Sequence, residues 1–178
     1  MTGKTLLIFS FLLIASIAKG QSLTGFSFNK YPVTTISKST KAKIDYNSHE
    51  IARRFKTAIT NEYKLNKVNF AGHYIVCTWG CGAGCLDGAM ADIHTGIVYK
   101  LPMGETKNFT VCVLDKNEDC VEYVKDSRLF ITQICIQNKS TAKSDIQEKE
   151  YFVNVWNEKA KKFDLIKHET LSKLVPAD

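Results

Sequence analysis

The residues best suited to chemistry lie in one stretch: Asn69-Phe-Ala-Gly-His73-Tyr-Ile-Val-Cys77-Thr-Trp79-Gly-Cys81-Gly-Ala-Gly-Cys85. It holds an imidazole, three thiols, an indole and a loop built on Gly80, Gly82 and Gly84. Glycines let a loop take backbone conformations closed to other residues. Successive amides in such a loop can point inward as an anion-binding nest. The plainer reading is a stapled turn that redirects the chain. Asp92, on the following strand-like segment, is a candidate partner for His73. A cysteine hydrolase would need a free thiolate near His73, with Asp92 orienting the imidazole. Strand alternation puts Ala71, His73, Ile75, Cys77 and Trp79 on one face. His73 is then roughly 20 Å of extended chain from Trp79, so the loop must fold back to bring a cysteine to it. The plainer roles are a structural histidine for His73, a core position for Trp79 and a hydrogen bond to loop amides for Asp92. The candidate site is therefore the glycine loop and its neighbours: His73, Trp79, Gly80, Cys81, Gly82, Gly84, Cys85 and Asp92. His94 and His168 stand in no motif, and no P-loop, GxGxxG, HExxH or G-x-S-x-G pattern occurs.

The first twenty residues point to export. Lys4 precedes an uncharged run from Leu6 to Ile17, and Ala18 and Gly20 occupy the −3 and −1 positions of a signal-peptidase site. The run is short of the ~20 apolar residues a membrane span needs. We expect cleavage before Gln21, a periplasmic or secreted location and no membrane span in the mature chain. The formal charge of +6 falls by two once Lys4 and Lys19 are removed. The remaining excess is mixed with acidic residues along the chain. That describes a solvated surface rather than the dense basic patch of a nucleic-acid binder.

Six cysteines remain: Cys77, Cys81, Cys85, Cys112, Cys120 and Cys135. An even count in an oxidising compartment makes disulfides the expectation. Cys112 and Cys120 are symmetric about the turn-like 115–119 segment and would face each other in a hairpin. Cys81 and Cys85 flank Gly-Ala-Gly and could close it. Cys77 and Cys135, both in strand-like segments, are left to pair. Zinc is the rival for C-x3-C-x3-C, but the usual C-x2-C knuckle is missing. We expect no metal and no cofactor.

The elements that must position these residues follow from patterning. Residues 21–46 read as an extended lead-in with one strand near Val33–Ile36. Residues 47–178 read as a single globular domain. Asn47 and Glu50 have capping-box spacing. Ile51, Phe55, Ala58, Ile59 and Tyr63 then repeat at helical intervals. Strands follow over 70–79, 89–94, 97–101, 109–114, 120–124, 128–136, 151–156 and 163–166. The polar stretch 137–149 reads as a loop and 169–175 as a short helix or loose tail. The fold class expected is α+β, one N-terminal amphipathic helix packed on an antiparallel meander of about seven strands.

Several of these segments together resemble a known group. Arg54-Phe55, Asn69-Phe-Ala-Gly-His-Tyr74 and Trp79-Gly-Cys-Gly-Ala-Gly-Cys85 are similar to a family of small exported bacterial proteins of uncharacterised function. Thr95-Gly-Ile-Val-Tyr99, Asp126-Ser-Arg-Leu129 and Tyr151-Phe-Val-Asn-Val-Trp156 fit the same pattern, so the resemblance spans residues 52–168. It implies a bacterial periplasmic or secreted protein and no particular reaction. It also implies that Cys81–Cys85 is the motif's own bridge and that the other four cysteines are additions.

Three functional classes are consistent with these features. The first is a non-enzymatic binding module of the inhibitor or immunity type, acting on an unidentified protein partner. The second is a hydrolase using His73 with Asp92 or a loop cysteine. The third is a structural envelope protein.

Overall fold

The computed structural model describes residues 25–82, 85–104, 112, 114, 119–140 and 144–176. The expected signal peptide, Gly84, most of the expected turn at 115–119 and most of the expected 109–114 strand lie outside the described residues.

The fold is mostly antiparallel β, in two sheets, which corrects the single helix-backed meander expected from patterning. Strands β1 (Tyr74–Gly82), β2 (Cys85–Asp92) and β3 (Val98–Lys100) form one sheet. Strands β4 (Val121–Tyr123), β5 (Leu129–Ser140), β6 (Ser144–Asn157) and β7 (Lys162–Pro176) form the other. The polar 137–149 segment and the 169–175 tail are strand, apart from 141–143, which are not described. Their composition gave no strand signal, because cross-strand backbone pairing such as Glu150↔Thr170 and Glu148↔Ser172 does not require apolar side chains.

The expected helix is two short ones, α1 (Glu50–Arg54) and α2 (Lys56–Leu65). Phe55 breaks them apart, with φ −112° and ψ 33°. Its ring stacks on Trp79 at 4.7 Å between centroids. The cap is also different from the Asn47 expected. His49 is extended, and its Nδ1 accepts the Ile51 N–H at 3.0 Å. Asn47 instead donates its N–H to Asp45 Oδ1 in the preceding turn.

Two apolar clusters flank the first sheet. Ile75, Cys77, Ala89 and Ala91 pack with Ile51, Ala52, Ile59 and Tyr63 of the helices. Tyr74, Val76 and Met90 face the other way and meet Phe130 and Trp156 of the second sheet. The alternation of β1 therefore serves two cores, as expected of a strand covered on both sides. No strand forms at Val33–Ile36; that stretch is irregular chain. Val33 donates its N–H to the Asp126 carbonyl, Ser37 to Gly72 and Ala42 to Ile93.

Disulfides join Cys81 to Cys85 and Cys112 to Cys135. The pairings of Cys112 with Cys120 and of Cys77 with Cys135 are thereby corrected. Cys77 is fully buried inside the helix-facing cluster and out of reach of a partner thiol. Cys135 sits on the long central strand β5, where it takes Cys112 instead, with 5.2 Å between Cα atoms.

Among the described residues no helix is long and apolar enough to cross a membrane. That and the two disulfides are compatible with an exported protein.

Candidate functional site at the base of the first hairpin

The Asn69–Tyr74 motif is a tight turn that delivers His73. Phe70 and Tyr74 pair as an isolated bridge, with N–H to carbonyl bonds in both directions at 3.2 and 3.0 Å. Asn69 extends the pairing with its side chain, Oδ1 accepting the Val76 N–H at 2.8 Å. The turn requires Ala71 at φ 42° and Gly72 at φ 81°. A Cβ on Gly72 would meet the Thr35 carbonyl oxygen at 2.5 Å. Gly72 and Ala71 also donate to the Lys125 and Ser127 carbonyls, which anchors the turn to the second sheet.

The β1–β2 register then sets the neighbours. Tyr74 pairs with Asp92, so His73 and Asp92 meet at the base of the hairpin. His73 Nε2 lies 4.0 Å from Asp92 Oδ2. Asp92 is buried, and its Oδ1 accepts the His94 N–H at 2.8 Å. That bond folds the chain back, so the exposed His94 ring stacks on His73 at 4.8 Å with planes 6° apart. The Ser37 hydroxyl of the lead-in is hydrogen-bonded to His94 Nε2 at 2.8 Å.

The second sheet supplies the other wall. Asn157 Oδ1 accepts the Ala160 N–H in the β6–β7 turn, which presents Glu158 and Lys161. Glu158 Oε1 lies 3.5 Å from His73 Nε2. Tyr74 OH donates to Glu158 Oε2 at 2.8 Å, and Trp156 Nε1 donates to the same oxygen at 2.7 Å. Lys161 pairs with Glu158 and also donates to the Tyr74 hydroxyl oxygen at 3.0 Å.

This packing shifts the charges. Burial pushes the His73 imidazole below its ordinary value, and the opposing pull of Asp92 and Glu158 does not restore it. Burial works to raise the Glu158 carboxyl, but hydrogen bonds from Lys161, Trp156 and Tyr74 outweigh it and hold the group below its usual range. The Tyr74 hydroxyl is pushed far upward, by burial first and then by its bond to Glu158. At neutral pH the site thus holds a neutral imidazole, an ionised Glu158 and a protonated phenol.

The expected site residues separate into two groups. His73 and Asp92 come together at the base. Gly80, Cys81, Gly82 and Cys85 form the tip, with Trp79 just below it, packed on the helix-facing cluster. The tip is about seven strand residues, roughly 20 Å, from the base. A hydrogen bond from Asp92 to loop amides is excluded by that distance. Patterning overlooked His94, Glu158, Tyr74 and Lys161. The Asp-x-His spacing at 92–94 was a visible signal for His94. Nothing local marks Glu158, which lies 84 residues from Tyr74.

Compared with protein-family models, characterised proteins and solved structures, the chain matches none.

Proposed function

We propose that this chain is an exported, disulfide-stabilised binding module of the inhibitor or immunity type. Membership of the small exported bacterial family, on residues 69–74 and 79–85, is part of that reading. The observation that carries it is the stapled tip of the β1–β2 hairpin. Burial along β1 falls from fully buried at Tyr74–Cys77 to exposed at Gly80–Gly82. Nothing lies within 4 Å of where a Cβ would stand on Gly80 or Gly82, and the Cys81–Cys85 bridge closes the loop there. A projecting loop held in one shape loses little conformational freedom on binding, which favours protein recognition.

The hydrolase alternative draws on the approach of His73 to Asp92. Its loop-cysteine form has no support, since both loop cysteines share a disulfide. Burial pushes the Cys77 thiol up to about 12, so it supplies no thiolate at neutral pH either.

A photo-crosslinking side chain placed at Gly80, with one at exposed Leu165 as control, tests the reading in the exporting cell. The expected result is a discrete protein adduct from position 80 that disappears in Cys81→Ser/Cys85→Ser. Equal labelling from both positions, or none, would overturn it and leave the structural role. Ester or peptide turnover abolished by His73→Ala would replace it with the hydrolase.

A further inference from the structure

We propose that His73, Asp92 and His94 form a binding site for a divalent transition-metal ion of the Zn²⁺, Co²⁺ or Ni²⁺ class. Each offers one ligand atom, and the three atoms lie within 4.8 Å of one another. Two imidazoles with one carboxylate suit these borderline ions and not Ca²⁺ or Mg²⁺, which prefer oxygen-only sets. Bonds of about 2.0–2.1 Å place tetrahedral donors roughly 3.4 Å apart. The 4.0 Å from His73 Nε2 to Asp92 Oδ2 is too long for a hydrogen bond and close to that span. Binding an ion would require the two stacked rings to tilt so that their nitrogens converge on it.

The surroundings hold the ligands as a metal site requires. The His94 N–H fixes one oxygen of the buried Asp92 and leaves Oδ2 facing His73. The Ser37 hydroxyl holds the His94 ring through its Nε2. Such outer partners set ring orientation in metal sites. Gly72 and the Phe70–Tyr74 bridge fix the turn that carries His73. Glu158, already paired with Lys161, lies 3.5 Å from His73 Nε2 and belongs to the outer set. Three protein ligands leave a coordination position open beside exposed His94. A water, a small anion or a side chain of another protein can complete it.

The site is at the opposite end of the hairpin from the stapled tip, so metal binding and tip recognition stand or fall separately. The test is calorimetric titration of the untagged, metal-free protein with Zn²⁺, together with the visible spectrum of Co²⁺ added to it. We expect one ion per chain and a Co²⁺ absorption typical of nitrogen and oxygen ligation. His73→Ala and His94→Ala should each lower affinity by at least about tenfold, the lower end of what loss of an outer partner alone costs. His94 is exposed, so His94→Ala keeps the fold intact even where Asp92→Asn does not. His168→Ala, on β7 beside Glu150, should bind as the parent does. Absence of saturable binding, or binding that survives His94→Ala and His73→Ala, would overturn the assignment.

Discussion

The Tyr74 hydroxyl donates to Glu158 Oε2 at 2.8 Å, joining the start of β1 to the turn between β6 and β7. The bond crosses between the two sheets just above their shared core, where Tyr74 packs edge-on against Trp156 at 5.4 Å. Its acceptor is ionised, which makes it stronger than a neutral hydrogen bond.

Tyr74→Phe should therefore lower unfolding free energy by about 2 kcal/mol, the range for hydrogen bonds to charged groups. Urea denaturation measures it. Glu158→Gln in the same background should add less than it does alone by the part the Tyr74 bond supplies, while the bonds from Trp156 and Lys161 are weakened in either background. Full additivity would show that the sheets are not coupled through this pair.

The two disulfides should contribute unequally. Cys112–Cys135 spans 23 residues of sequence and Cys81–Cys85 spans 4. Chain-entropy scaling gives about 3 kcal/mol for the long loop and about 2 kcal/mol for the short one. Paired Cys→Ser variants, compared by urea midpoint, should rank in that order. A larger loss from the short bridge would mean that its loop organises more of the hairpin than its own residues.

Cys77 predicts a loss of stability at high pH. Its folded pKa, about 12, is above its unfolded value near 9. The buried neutral thiol contributes fully below the unfolded pKa. That contribution is lost as pH rises from about 9 through 12, because only the unfolded chain releases the proton. The slope is at most about 1.4 kcal/mol per pH unit. Cys77→Ala should flatten the stability profile between pH 9 and 11 relative to the parent. Equal slopes would place the thiol in contact with water.

Gly72→Ala should cost about 2 kcal/mol or more, since a side chain at φ 81° is strained and its Cβ collides with the Thr35 carbonyl. Thermal melting reads the loss. Imidazole NMR shifts of His73 should move with it. Unchanged His73 shifts in a destabilised variant would separate the turn from the placement of the ring.

The legible part of this molecule was local. The glycines beside Cys81 and Cys85 marked a closed loop, whereas the strand expected from residue 70 begins only at Tyr74, because Ala71 and Gly72 take positive φ in a turn. The break expected between the strands at 89–94 and 97–101 corresponds to the turn between β2 and β3, where Gly96 has φ 78°. What stayed hidden was long-range or non-periodic. The helical repeat of Ile51, Phe55 and Ile59 gives no sign of the break that Phe55 introduces by stacking on Trp79. The polar strands are held by backbone pairing, which leaves no hydropathy signature. Half of the site comes from Glu158 and Lys161, whose place beside His73 depends on how two sheets dock.

The β1–β2 ladder runs in steady register from Tyr74↔Asp92 to Gly80↔Leu86. A slip of one residue would drive Ile75 and Cys77 into the space of Tyr74 and Val76, exchanging two cores that differ in shape. The hairpin is for that reason a spacer of fixed length. Whatever meets the bridged tip and whatever is held by the histidines at the base are kept a constant distance apart, like two fittings on one rigid bar.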